Sequence, residues 1–136
     1  MRKNSRDYID QINFINIVFG IVYLIFRYFY KIDGPFGEES SSYQKYFQYA
    51  HILLVPFLIF GIGLIWNEHI WPKLQSQNSY KRRSGIFLII LFITMSISGY
   101  FVQLPLALQT RNYIGISHSA IGVFWVVVFY YHRLKK

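Results

Sequence analysis

Cysteine is absent from the 136 residues, and charge is scarce: Asp, Glu, Lys and Arg together make up 15%, and only 6 of those residues are acidic. Without a thiol the chain has no disulfide, no thiolate metal site, no cysteine nucleophile and no C-x-x-C-H attachment motif. Proline numbers only 4 and glycine 9, too few for a low-complexity linker, and at this length the chain is one domain. Apolar residues are plentiful instead, at 54%, with 21% aromatic, a balance foreign to a domain surrounded by water. The net charge of +8 would suit a nucleic-acid partner only if it formed a patch. The basic residues fall between the apolar runs instead, where they act as topology signals, so no nucleic-acid partner is expected.

A helix needs roughly twenty mostly apolar residues to cross a bilayer core of about 30 Å. Four runs qualify, approximately 11–30, 46–66, 85–104 and 113–131. None alternates with period two, which excludes barrel strands, and a spanning backbone must otherwise be helical. The expected fold is therefore all-α, an integral membrane four-helix bundle forming one domain over 1–136. Asp7, Asp10, Asn13 and Asn16 interrupt the start of the first run, which marks it as a retained anchor rather than a signal peptide.

Basic residues in short loops set the orientation. Arg2, Lys3 and Arg6, then Lys73, Lys81, Arg82 and Arg83, then Arg133, Lys135 and Lys136 share one side of a four-span topology. The other side has Lys31, Lys45 and Arg111, with Asp33, Glu38 and Glu39 beside them. Both termini are predicted to be cytoplasmic, in a multi-pass protein of the inner membrane whose constant partner is the lipid bilayer. Tyr28, Tyr30, Tyr43, Tyr46, Trp66, Trp71, Tyr113 and Tyr131 stand at the span ends as an aromatic belt. The segment Glu38 to Ser42 is expected to be a solvated loop.

All four histidines sit in or beside two spans. His51 and His69 are 18 residues apart, His118 and His132 are 14 apart. At about 100° per residue these separations amount to about five and four turns, so each pair shares a helix face over about 27 Å and 21 Å. The second and fourth spans run the same way. His51 is thus level with His118 near the outer face, and His69 with His132 near the cytoplasmic face. Two stacked sites with one imidazole from each helix are what bis-histidine ligation of two b-type haems requires. Zinc, or hydrogen bonding between helices, would use the same residues, and a di-iron carboxylate site is disfavoured because no Glu-x-x-His pair occurs.

Other residues could serve such sites. Gly122 lies one turn after His118, and Gly20, Gly61, Gly63 and Gly99 lie within spans, where a missing side chain admits either a flat macrocycle or a neighbouring helix. Trp125 and Phe129, and Val55, Leu58, Ile62 and Ile65, continue the histidine faces as apolar walls or ordinary core. Pro56 should kink the second helix. Arg27 and Arg111 are candidates for pairing with haem propionates, with snorkelling to lipid phosphate the alternative for Arg27. Ser98, Tyr100 and Gln103 could hydrogen-bond a haem edge or a quinone.

The chain resembles the small four-helix, di-haem membrane cytochromes b, the group that includes the cytochrome b subunits of hydrogenases and formate dehydrogenases. The resemblance covers all four spans. It rests on His51 and His69, on His118 and His132, and on the small-residue patch Ser96-Ile97-Ser98-Gly99-Tyr100. The segment from His51 to Trp71, with Pro56, Gly61, Gly63, Trp66 and His69, is similar to that of compact bacterial members. Membership implies haem b, two per chain, or one if only His51 and His118 ligate. It also implies electron transfer across or within the membrane, with a redox protein or the quinone pool as partner. Loops this short make no substrate site of their own, so an electron-transfer subunit is expected rather than a complete enzyme. A free-standing quinone-linked oxidase or reductase, and a cofactor-free structural or assembly protein, are the alternatives.

Overall fold

The computed structural model describes residues 3–35, 37–76 and 82–134. It is 87% helical. In chain order it comprises helix α1 (Lys3–Tyr28), strands β1 (Lys31–Gly34) and β2 (Gly37–Ser40), helix α2 (Ser42–Ile65), a π-helical turn (Trp66–Ile70), a short helix α3 (Trp71–Gln75), and helices α4 (Arg82–Gln103) and α5 (Leu108–Leu134). Four helices, Lys3–Tyr28, Ser42–Gln75, Arg82–Gln103 and Leu108–Leu134, are long and apolar enough to cross a membrane. No more than 17% of the apolar window of any of them is buried within the protein, the pattern of helices whose remaining faces meet lipid. Of the basic residues used to read orientation, Arg2, Lys81, Lys135 and Lys136 lie outside the described residues.

The chain divides into two compact units, Met1–Trp71 and Pro72–Lys136, and each is built on an antiparallel pair of helices. In the first, α1 meets α2 through positions 9, 13, 16 and 20, steps of four, three and four that keep one helix face. Ile9, Asn13 and Asn16 are the buried residues of α1, with Asn13 only 1% and Asn16 5% exposed, so the middle of this contact is polar. Below it, Tyr8 donates to the Phe57 carbonyl at 3.3 Å and meets Phe60 edge-on at 6.3 Å, while Gly61 leaves room for Tyr8 and Ile9. Above it, Phe26 stacks on Phe47 at 5.4 Å and Phe19 tilts against Phe47 at 5.8 Å.

Between these helices the sequence led us to expect a loop, and a two-stranded antiparallel hairpin stands there, pairing Lys31 with Ser40 and Gly34 with Gly37. The reason is local. Pro35 follows the end of β1, and Gly37 opens β2 at φ 114°, a backbone region that costs only glycine nothing. Ser41 then caps α2, its Oγ accepting from the Tyr43 N–H at 3.2 Å, as serine does at helix starts. The second helix also outruns its predicted end at residue 66. Helical bonding persists through the π-turn into α3, so His69 lies inside the helical rod rather than beyond it.

The second unit pairs α4 with α5. Its core is Leu91 and Trp125, 8% and 3% exposed, with Phe92 against the Trp125 ring at 5.8 Å and Phe129 stacked on it at 5.9 Å. Pro105 follows Leu104 and stops α4. A turn with Leu104 N–H on Phe101 O at 3.2 Å and Leu106 N–H on Leu104 O at 2.8 Å leads into α5.

Candidate functional site

Three of the four histidines are held the same way. In the first unit the His51 Nδ1 lies 3.2 Å from the Asn16 carbonyl of α1. A carbonyl only accepts, so Nδ1 carries the proton and the ring lone pair is on Nε2. The ring rests on Gly20, where an added Cβ would stand 3.1 Å from Cε1 and 3.3 Å from Nδ1. Beside it, the Asn16 Oδ1 is buried with no hydrogen-bond partner among the described residues.

The second unit repeats the device twice. The Ser98 Oγ lies 2.9 Å from His118 Nδ1, and the same hydroxyl donates to the Met95 carbonyl at 3.1 Å. Its single proton being committed there, Oγ accepts from Nδ1–H, and His118 has the same tautomer as His51. The neighbouring glycine again seats the ring, with a Cβ at Gly99 falling 3.2 Å from His118 Cε1. At the other end of the helix pair the Ser84 Oγ lies 2.8 Å from His132 Nδ1, and a Cβ at Gly85 would meet His132 Cε1 at 3.5 Å.

One register explains why these residues meet. Ser84, Leu91 and Ser98 are spaced by sevens on α4, as are His118, Trp125 and His132 on α5. Residues seven apart return to nearly the same helix face. In an antiparallel pair, Ser98 therefore opposes His118 when Ser84 opposes His132, with Leu91 and Trp125 midway. The expected apolar wall along α5 is thus the face packed on α4, and Leu58, Gly61 and Ile65 are likewise the buried residues of α2.

His69 differs. It is half-buried within the π-turn Trp66–Ile70, where i→i+5 bonding puts more than four residues in a turn. The five-turn count between His51 and His69 assumed α-geometry throughout and does not carry through this segment. The other predicted residues separate by surroundings. The Arg27 Nη1 donates to the Tyr23 hydroxyl at 2.7 Å, and its guanidinium lies 6.0 Å from the Tyr23 ring and 5.6 Å from the Tyr28 ring, so tyrosines embrace it within its own helix. Arg111 is exposed in the first turn of α5. At Gly122, and at Gly63, an added Cβ would meet nothing within 4 Å among the described residues. Gly20, Gly61 and Gly99 face side chains instead.

Of the polar side chains on the third span, Ser98 alone among the three candidates reaches another helix in a recorded bond. Gln103 donates to its own helix at Gly99 O, 3.1 Å away, and Tyr100 is 63% exposed. Ser98 also lines an open groove of about 350 Å³ with Thr94, Ile97, Phe101 and Ile114. The side chain of Glu38 lies outside the described residues.

Sequence reading missed the Nδ1 partners, although a signal was present: two Ser-Gly dipeptides 14 residues apart, at 84 and 98, mirror two histidines 14 apart. Among the described residues no group of three or more His, Cys, Asp or Glu side chains could hold a metal ion. A tetrahedral zinc site takes three or four protein ligands, whereas a haem iron already has four ring nitrogens and takes one or two axial ligands from protein. The donor set is one of single imidazoles, three of them with Nδ1 anchored. Compared with protein-family models, curated proteins and solved structures, the chain matches none.

Proposed function

We propose that this chain is a b-type membrane cytochrome, a multi-pass protein of the inner membrane with both termini cytoplasmic. In this reading it passes electrons across or within the bilayer as the membrane subunit or partner of a larger redox system. The observation that carries the reading is the anchoring of His51, His118 and His132 through Nδ1. Metal-ligating histidines characteristically donate their other ring N–H to an oxygen acceptor such as a carboxylate, a backbone carbonyl or water, which fixes the tautomer and strengthens the ligating nitrogen; a serine Oγ is an oxygen acceptor of the same kind. Haem b, when bound, supplies the one-electron chemistry. The chain's own part is to present Nε2 atoms in a fixed orientation within an apolar surround, with His69 as the fourth ligand if two haems are held. Gly122 and Gly63, where an added Cβ meets nothing within 4 Å among the described residues, are where a flat ring could approach the backbone, and Arg27 and Arg111 are candidate partners for its propionates.

A second reading rests on the same bonds. A cofactor-free structural or assembly protein would use the Ser–His and carbonyl–His contacts as clasps between helices, since an imidazole facing lipid needs a partner whatever else it does.

A reduced-minus-oxidised visible spectrum of the purified protein, with a haem-to-protein ratio, tests the proposal. A ratio near two is expected. A ratio near one leaves His69 and His132 outside the ligand set, and zero after haem supplementation refutes the cytochrome reading in favour of the clasp reading. Alanine variants of the histidines report which imidazoles share an iron, because two ligands of one haem abolish the same spectral component.

A further inference from the structure

We propose that Ser98 and Ser84 are positioning residues for two haems, each accepting the Nδ1 proton of one ligand histidine and thereby setting that ligand's tautomer and donor strength. This rests on the cytochrome reading and assigns it a pair of tuning residues.

The selectivity of the hydroxyls carries the argument. On α4 and α5, Thr94 donates to Ile90 O at 2.9 Å, Ser96 to Phe92 O at 2.9 Å and Ser119 to Gly115 O at 2.8 Å. Each returns to its own helix, the usual way a serine or threonine satisfies itself in an apolar surround. Ser84 and Ser98 are the two that also reach across to an imidazole, at 2.8 and 2.9 Å. Close approach of two helices needs only a small residue, and the glycines next in sequence already provide it. The hydroxyl contributes something a glycine or alanine would not, an acceptor for Nδ1–H. Ser98 is the clearer case, because its proton goes to Met95 O and its oxygen is thereby fixed, and polarised, as an acceptor. The two stations are equivalent in residue type and spacing, at the two ends of a stretch of about 21 Å. That equivalence points to two haems rather than one.

An imidazole whose N–H is accepted by a neighbour is a stronger donor through its other nitrogen and favours the ferric state. Loss of such a partner costs 10–100-fold in metal affinity in general. If a tenfold loss falls on the ferric form alone, the midpoint potential of that haem rises by about 59 mV.

The test uses the full-length protein in detergent, with Ser98→Ala, Ser84→Ala and Ser98→Thr, and with Ser96→Ala as a control of equal volume change. Haemin is titrated into apo-protein, and the midpoint of each haem is measured by redox titration. Ser98→Ala should weaken one site by at least tenfold and raise its midpoint, Ser84→Ala should do the same to the other site, and Ser98→Thr should restore the wild-type values. If the wild type binds haem but Ser98→Ala leaves affinity and potential within twofold of it, or shifts them no more than Ser96→Ala does, the positioning role is overturned while the cytochrome reading stands. If the wild type takes up no haem, both fail. Circular dichroism of each apo-variant separates lost tuning from lost fold: should Ser98→Ala not fold, an unshifted Ser84→Ala overturns the proposal by itself.

Discussion

Gly20→Ala should destabilise the first unit, whereas Gly63→Ala should stabilise it, although both replace a glycine inside a membrane-spanning helix. The methyl added at Gly20 would stand 3.1 Å from His51 Cε1 and 3.3 Å from Nδ1, below the 3.4–4 Å of ordinary contact. The imidazole must retreat by a few tenths of an ångström. Its bond to Asn16 O is already 3.2 Å long, so retreat from α1 carries it to the edge of hydrogen bonding. Leaving that N–H without its acceptor costs about 1–3 kcal/mol. Alanine's advantage over glycine in a helix returns about 0.5–1 kcal/mol. The mid-range net change is about 1.2 kcal/mol against folding, with bounds of about 0–2.5 kcal/mol, roughly an eightfold shift in the equilibrium. At Gly63 the added methyl meets nothing within 4 Å, so only the gain of about 0.5–1 kcal/mol remains. Reversible unfolding of the apo-protein in mixed micelles, with a denaturing detergent as the variable and helicity as the signal, measures both. If Gly20→Ala stabilises as much as Gly63→Ala, the ring does not rest on that glycine and the reasoning about His51 is wrong.

Two further outcomes follow from the fold. Trp125→Ala, at a side chain 3% exposed and packed on Phe92 and Phe129, should lower stability by about 3–5 kcal/mol, far more than Phe124→Ala at 49% exposure, and equal effects in the same unfolding assay would refute this packing. Because the chain has no cysteine, Ser40→Cys and Ser76→Cys can be labelled singly: an impermeant maleimide should reach Ser40→Cys in intact cells and Ser76→Cys only after permeabilisation, and the opposite pattern would reverse the proposed orientation.

The four helices were legible because spanning a bilayer imposes a length and a composition that no other requirement mimics. The histidine phasing was legible where the helix is regular, as between His118 and His132. It failed at His69 because a single turn of i→i+5 bonds has no hydropathy signature: Trp66 to Ile70 reads as the end of a span. The hairpin at 31–40 was hidden for a different reason. Lys31, Asp33 and Glu39 look like solvated loop, and the pairing is decided by the backbone freedom of Gly37 rather than by apolar alternation. The Ser–His contacts were missed because serine in a span usually bonds its own helix. Only the matching of two spacings, one on each helix, shows that Ser84 and Ser98 also face a histidine across the helix pair.

The buried amides of α1 bear on how the chain enters the bilayer. A first helix emerging alone would expose Asn13 and Asn16 to hydrocarbon, where each unsatisfied polar group costs several kcal/mol. In the folded unit Asn13 and Asn16 are 1% and 5% exposed, covered on the face shared with α2. Pairing with α2 therefore takes both amides out of contact with lipid, although the Asn16 Oδ1 gains no hydrogen-bond partner among the described residues. The strand pair at 31–40 closes the short connection between them. The later helices carry no comparable buried pair of amides among the described residues, so the order of synthesis places the helix that most needs a companion first and its companion next.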